Sequence, residues 1–288
     1  MAFKFIFRLQ LYKIVDKHVQ LHYNDFRLQK IGVVIFMIQL TASTWNINQR
    51  SGQGKKIPEM IVQELAKQNS DIICLTEYVK TDNHSQFCSS LQTNGYTIFE
   101  DVRTIEFGNE ILIAIKSDLV NDCQVITIDN DDNNPNFLQV RVTIEGQELN
   151  IIGVRIKIGG ENIFEDFKNR KSQLDKLIFN LPAIHENTIV LGDFNNGFFK
   201  QNDNTHSYQG KAREFYSYPL LQSEMNKAGL TIHTPSDENS WKYCKLDHII
   251  GNIPIYNVCY SWKFLENPDY QNKVGFPDHA ILSATISL

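Results

Sequence analysis

The sequence predicts an α/β fold built from two packed β-sheets with helices on the outside. Two observations carry this. Many short apolar runs read as strands, with few helical segments between them, which argues against one doubly wound sheet. The runs are apolar at nearly every position, as in Ile72-Ile73-Cys74-Leu75 and Ile189-Val190-Leu191, which marks short buried strands. The 288 residues are 42% hydrophobic and 21% charged, enough for a large core. With no Pro/Gly/Ser-rich linker and no internal repeat, a single domain over residues 37–288 is expected.

The elements follow in order. The segment Met37 to Asn46 reads as the first core strand. Ile57, Ile61 and Leu65 fall at helical spacing, and Pro58 sits near the first turn, where its missing N–H costs nothing. Strands are expected at Asp71 to Glu77, Ile111 to Lys116, Phe137 to Ile144, and Leu149 to Ile158. Gly159-Gly160 breaks the last of these, and Phe164, Phe167, Leu174 and Ile178 mark a helix running to about Leu181. The strand Thr188 to Leu191 comes next. Pro219 starts a helix through Leu221, Met225 and Ala228 that Gly229 stops. Strands at Leu246 to Ile250, Val258 to Phe264 and Ala280 to Leu288 close the chain.

Residues 1–36 mix basic, aromatic and aliphatic side chains with no clean period. The apolar run Ile31 to Leu40 is shorter than the roughly 20 residues a bilayer requires, and it lies too far in for a secretory signal. Gly32-Val33 can be encoded by a purine-rich stretch like a bacterial ribosome-binding site just before Met37. Residues 1–36 are therefore read as an N-terminal extension, not native or disordered. The net charge of -5 does not draw polyanions to the whole molecule, so a nucleic-acid grip requires a local basic patch. Five widely spaced cysteines without a Cys-x-x-Cys pair argue against a disulfide framework or a zinc site, and fit a reducing cytoplasm.

Polar residues stand at the strand ends. Asn46, Glu77, Arg155 and Asp193 follow apolar runs, whereas Asp247 and His279 precede them. If the last two strands run antiparallel to the first four, these positions gather at one edge. Asp193 and Asn195, two apart, share a face: one can orient or deprotonate a water, the other donate to the group attacked. An oxygen-rich set without thiolate suits a hard divalent ion, Mg²⁺ or Mn²⁺. Taken singly, each residue also has a plainer reading. Asp193 can be a turn residue, Glu77 a solvated strand-end acid, Arg155 an outward-facing cation beside Lys157, and His279 a structural histidine. His248, inside an apolar strand, is assigned to the core.

Five motifs in order, TWNIN (44–48), DIICLTE (71–77), IVLGDFN (189–195), KLDHII (245–250) and PDHAIL (277–282), resemble the endonuclease/exonuclease/phosphatase superfamily, which has the deoxyribonuclease I-like fold. The resemblance covers about Ile38 to Leu288. It implies a four-layer α/β sandwich, with two mixed β-sheets face to face and helices outside, and phosphoester cleavage by Mg²⁺ and a directly attacking water. It also implies roles. Glu77 is the metal-binding glutamate, with Asn46 beside it and Asp278 a second acid near the metal. Asp193 aligns the water and Asn195 holds the scissile phosphate. His279 contacts phosphoryl oxygens and Asp247 keeps it protonated. Two positions depart from the pattern. Arg155 stands where a histidine or tyrosine is usual; it cannot be a general acid at neutral pH but can clamp a phosphate. Asn48 stands where some relatives have an acid.

Lys242, Lys245 and Trp241, with Lys200, Lys211, Arg213 and several nearby aromatics, suit phosphate and base contacts, so a substrate-binding role is expected for them. The expected activity is thus a cytoplasmic metal-dependent phosphodiesterase, a nuclease first, with a phosphatase of small phosphorylated molecules or a noncatalytic nucleic-acid-binding module as alternatives. The short segment Ser240 to Cys244 speaks against abasic-site repair. No membrane association or protein partner is inferred. Asp193→Ala is expected to abolish hydrolysis and leave folding intact.

Overall fold

The computed structural model describes residues 37–49, 56–101, 108–129, 131, 133–197, 216–270 and 275–288. The N-terminal extension lies outside them, as do Lys200, Lys211 and Arg213. Strands β1 (Gln39–Asn46), β2 (Ile72–Tyr78), β3 (Tyr96–Glu100), β4 (Glu110–Lys116), β11 (Ile255–Ser261) and β12 (Ile281–Ser287) form one sheet, in the order β11-β12-β1-β2-β4-β3. Strands β5 (Asp122–Ile126), β6 (Asn136–Ile144), β7 (Gln147–Arg155), β8 (Thr188–Asp193), β9 (Thr231–His233) and β10 (Asp247–Gly251) form the other, in the order β5-β6-β7-β8-β10-β9. Each sheet has one parallel pair at its centre, β1 with β2 and β7 with β8; the remaining pairs are antiparallel. Among the described residues four helices accompany them: α1 (Glu59–Gln68), α2 (His84–Thr93), α3 (Ile163–Phe179) and α4 (Tyr218–Lys227).

Side-chain alternation explains the layers. In β2, Ile72 and Cys74 point inward and pack with Ile113, Val140, Ile151, Leu191 and Ile249 between the sheets. Ile73 and Leu75 point the other way, onto Ile61 and Leu65 of α1 and Phe87 and Leu91 of α2. In β8, Ile189 and Leu191 face the other sheet, while Val190 joins Leu174 and Leu177 of α3 and Leu221 and Met225 of α4. The chain is a four-layer α/β sandwich. Strands covered on both faces have no solvent side, which is why their sequences read as continuous apolar runs.

The expected elements are present with small shifts: β7 stops at Arg155, and β11 is centred earlier than Val258 to Phe264. Sequence reading missed α2, β3, β5 and β9. Helix α2 buries just Phe87 and Leu91 and has no side-chain cap, and β5 is an exposed edge strand defined by its pairing with β6.

One glycine sets how β8 is seated. Gly192, opposite Val154 in the parallel β7/β8 pair, has φ 148°. A Cβ there would lie 1.9 Å from the Val154 carbonyl oxygen. Gly192→Ala is expected to cost on the order of 3 kcal/mol, read as a lowered urea midpoint; an unchanged midpoint would mean the strands do not pack this closely.

Candidate active site

The inward faces of the strands deliver the polar residues to one end of the sandwich. Arg155, Asp193 and Asp247 are register partners across β7, β8 and β10, so they form a row continuing the inward face of Ile151, Leu191 and Ile249. Asn46, next to outward-facing Trp45, looks back from the facing sheet, and its Nδ2 donates to Asp193 Oδ2 at 3.0 Å. Glu77 needs an extra device. Strand alternation alone would place it on the outer face with Ile73 and Leu75. The β2/β4 register shifts between Leu75 and Tyr78, and Glu77 adopts φ 50°; its carboxylate meets Arg155 across the sheets. Asn48 and Asn195 are also left-handed, with φ 52° and 47°. Such strain concentrates where surrounding structure enforces it.

Asp193, 1% exposed, is the centre of the row. Its Oδ1 accepts from the Asn195 backbone N–H at 2.9 Å; its Oδ2 accepts from the side chains of Asn46 and Asn195, both at 3.0 Å. A carboxylate offers about four lone-pair positions, so these three bonds leave one on Oδ1 for a water. Burial and the neighbouring Asp247 charge raise the Asp193 pKa to about 6, against the opposing pull of His279 and Arg155. This bonding corrects the expectation that Asp193→Ala leaves folding untouched: the carboxylate is a buried acceptor for three donors.

His279 Nδ1 donates to Asp247 Oδ2 at 2.7 Å. Burial by itself would lower the His279 pKa, but the charge and hydrogen bond of Asp247 override it and raise the value to about 9. The imidazole is thus held as a cation at neutral pH, with Nε2 as its second donor. Asp247 is in turn fixed by its main chain: its N–H donates to Ser240 Oγ at 3.2 Å, and its carbonyl accepts from the Tyr260 hydroxyl at 2.6 Å. Trp45 Nε1 donates to the His279 carbonyl at 2.9 Å.

Several expected residues take unexpected positions. Arg155 is neither solvated nor open to a phosphate: it is 4% exposed, with Nε 3.0 Å and Nη2 2.8 Å from Glu77 Oε1. Both Asn195 side-chain N–H groups are committed, to Asp193 and to the Ile156 carbonyl at 2.9 Å. As placed, Asn195 orients the carboxylate and has no N–H left for a phosphate. Lys245 is buried, and its ammonium donates to the carbonyls of Pro235 and Ser236, both at 2.5 Å, which ties it to a loop rather than a substrate. Trp241, Lys242 and Asp278 form a rim beside His279. Trp241 Nε1 donates to Asp278 Oδ2 at 3.0 Å, the Lys242 ammonium lies 4.4 Å above the indole, and the indole centroid is 6.2 Å from that of His279.

Sequence reading missed Arg170 and Ser240. Arg170 of α3, 3% exposed, donates to the Asn195 carbonyl at 2.5 Å while paired with Asp166. An arginine on a helix 25 residues away carries no sequence signal for this role. His248 is a core residue, as expected: it lies among Phe194 and Tyr218, accepts at Nδ1 from Thr234 Oγ1 (2.7 Å) and donates from Nε2 to Asn196 Oδ1 (2.8 Å). Burial lowers its pKa to about 3. The unfolded chain therefore binds this proton more readily, and the stabilising contribution, complete above pH 6.5, is lost as pH falls from 6.5 toward 3. Urea titrations from pH 6.5 to 5 are expected to show a shallower decline for His248→Gln than for the parent; equal slopes would contradict it.

Glu77, Asn46 and Asp278 offer oxygen donors, and no thiol belongs to this group, so the donor chemistry fits a hard divalent ion. The Arg155 guanidinium on Glu77 is a cationic competitor for the same carboxylate.

The chain belongs to the endonuclease/exonuclease/phosphatase family: the family's sequence profile matches residues 43–253, which include the site residues above except Tyr260, Asp278 and His279. No curated protein matches by sequence. Solved structures match in fold. An endonuclease/exonuclease/phosphatase from Beutenbergia cavernae DSM 12333 is 13% identical with TM-score 0.60, over 87% of this chain and 72% of its own. ANGEL2, a 2',3'-cyclic phosphatase solved with adenosine-2',3'-vanadate, is 13% identical with TM-score 0.60, over 88% and 96%. D. rerio TDP2, complexed with a single-strand DNA product, is 15% identical with TM-score 0.55, over 86% and 98%. Among the described residues, no helix is long and apolar enough to cross a membrane.

Proposed function

We propose that this chain is a divalent-metal-dependent phosphodiesterase acting on nucleic acid in the cytoplasm, with water attacking phosphorus directly. The observation that carries the reading is the buried Asp193 carboxylate, with one lone pair left for water, in the electrostatic reach of an imidazolium held by Asp247. Asp193 orients the water and takes its proton as the new O–P bond forms and the scissile ester P–O bond breaks, the departing oxygen taking its proton from solvent. His279 Nε2 donates to a phosphoryl oxygen as negative charge grows there. Asn46, Asn195 and, through the Asn195 carbonyl, Arg170 keep Asp193 in place. Glu77 and Asn46, with Asp278 nearby, would hold Mg²⁺ or Mn²⁺, which supplies Lewis-acid stabilisation of phosphoryl charge when bound. Trp241 and Lys242 offer a stacking surface and a cation at the rim, features suited to a nucleotide. That ANGEL2 and TDP2 are solved with nucleotide-derived or DNA ligands accords with this choice.

A phosphatase of small molecules would need a cation for the terminal phosphate; Arg155 is the candidate, and its pairing with Glu77 speaks against that use. The same pairing favours a second reading, a noncatalytic binding module in which the guanidinium supplies the charge of the ion. Hydrolysis of single- and double-stranded DNA, RNA, and aryl phosphate mono- and diesters, with Mg²⁺, Mn²⁺ or EDTA, separates the readings. Metal-dependent diester cleavage, reduced at least ~100-fold in His279→Ala, is the expected result. Monoester preference would favour the phosphatase, and a folded protein inert toward the whole panel would favour the module.

A further inference from the structure

A second cluster lies on the outer side of the first sheet, where α2 meets β2 and β3. We infer that His84, Cys88 and Glu100 form a zinc site, separate from the row around Asp193. His84 and Cys88 are four residues apart on α2 and so share one face of the helix, and Glu100 ends the neighbouring strand β3. One ligand atom from each lies within 4.8 Å of the other two. His84 Nε2 is 3.5 Å from Glu100 Oε1 and 3.9 Å from Cys88 Sγ. With metal–nitrogen and metal–oxygen bonds near 2.0–2.1 Å and metal–sulfur near 2.3 Å, a tetrahedral zinc has N···O edges of about 3.4 Å and N···S edges of about 3.6 Å. The cluster is close to those edges before any ion binds.

The surroundings suit a ligand set as well. His84 Nδ1 contacts the hydroxyl of buried Tyr78. With Nδ1–H donated to that phenol, Nε2 keeps its lone pair 3.5 Å from Glu100 Oε1, while Cys88 Sγ, 3.7 Å from Nδ1 and 3.9 Å from Nε2, sits beside the ring and would turn about its Cα–Cβ bond to complete the set. The second Glu100 oxygen, Oε2, is buried without a hydrogen-bond partner. Lys80 is the opposing charge, 3.8 Å from Glu100 Oε1, but its ammonium is drawn toward Glu110 at 3.1 Å and the Asp101 carbonyl at 2.8 Å. His84 and Glu100, though not Cys88, line a cleft of about 460 Å³ together with Thr81, Asp82 and Ser85, which provides an entry path and room for a water as fourth ligand.

Nitrogen, sulfur and carboxylate donors together select zinc over Mg²⁺. On binding, the Cys88 S–H gives its proton to solvent as the sulfur–metal bond forms. The consequence is structural. Helix α2 has no side-chain cap and few buried apolar residues, so an ion bridging it to β3 would pin it beside the strand that carries Glu77. The ligand pair is His84-x-x-x-Cys88 on one helix face, a spacing distinct from a Cys-x-x-Cys pair.

The test is a Co²⁺ titration of the full chain, read by sulfur-to-cobalt charge-transfer absorption. The row around Asp193 has no thiol and cannot produce that band. One saturating equivalent is expected, displaced by Zn²⁺, with the band absent in Cys88→Ser. Glu100→Gln, which preserves side-chain size, is expected to weaken Co²⁺ binding at least ~10-fold while the chain stays folded by circular dichroism. No band in the parent, or a band retained in Cys88→Ser and assignable to exposed Cys123 or Cys259, would overturn the inference.

Discussion

Asp193→Asn is expected to lower kcat by about 10²–10⁴-fold, with a much smaller change in KM. The amide cannot take the proton of an attacking water, yet it fills nearly the volume of the carboxylate. Binding of the substrate through the rim and His279 is left in place. The variant also separates chemistry from architecture. Asp193→Ala leaves three buried N–H donors, from Asn46 and Asn195, without their acceptor. Each unsatisfied donor costs about 1–3 kcal/mol, partly offset by removal of the repulsion between Asp193 and Asp247. Alanine should therefore lose activity and the acceptor of all three donors, whereas asparagine, whose NH2 must face the single Asn195 N–H on the Oδ1 side, loses activity at a smaller cost in stability. Steady-state kinetics beside urea unfolding of both variants would decide this. Full activity in Asp193→Asn would end the proposed mechanism.

Arg155→Ala is expected to be strongly destabilising. It strips the guanidinium from a carboxylate that is itself 4% exposed, and breaking a buried pair from one side costs about 3–5 kcal/mol. Without metal, the thermal midpoint should fall by many degrees. Mg²⁺ should restore much of it, because Glu77 then has a replacement counter-charge, whereas the parent should gain less. Thermal unfolding in EDTA and in Mg²⁺ gives both numbers. A midpoint equal to the parent's in EDTA would mean that the buried pair does not form. A variant that Mg²⁺ fails to rescue would mean that Glu77 is not a metal ligand, and would favour the binding-module reading.

The two changes bear on how much of the site could be read from the chain. Asp193, Asp247 and Asn46 were legible because alternation along β8, β10 and β1 places each on the inward face, and a polar residue ending a buried apolar run is conspicuous. Glu77 was conspicuous for the same reason, but alternation would have sent it outward. The β2/β4 register shift and the left-handed backbone at Glu77 turn it inward, and neither is written in the DIICLTE motif. The sequence left the face of Arg155 open, outward beside Lys157 or inward at the site, and its partner was not legible, since Glu77 and Arg155 lie 78 residues apart on different sheets. Lys245 looked like a surface cation near a loop; whether a lysine ends in solvent or under carbonyls depends on how Pro235 and Ser236 return over it.

The sequence by itself determined the layered α/β architecture, the short buried strands, and the candidate acids and imidazole at their ends. Each of these rests on local period and on burial of apolar area, which a chain carries in its own order of residues. Tertiary structure alone decided which polar groups meet: Asp193 with Asn46, Glu77 with Arg155, Asn195 with Arg170, and His84 with Cys88 and Glu100. Those pairings depend on sheet-to-sheet register and on single backbone torsions. A shift of one residue, or one left-handed turn, moves a side chain to the opposite face.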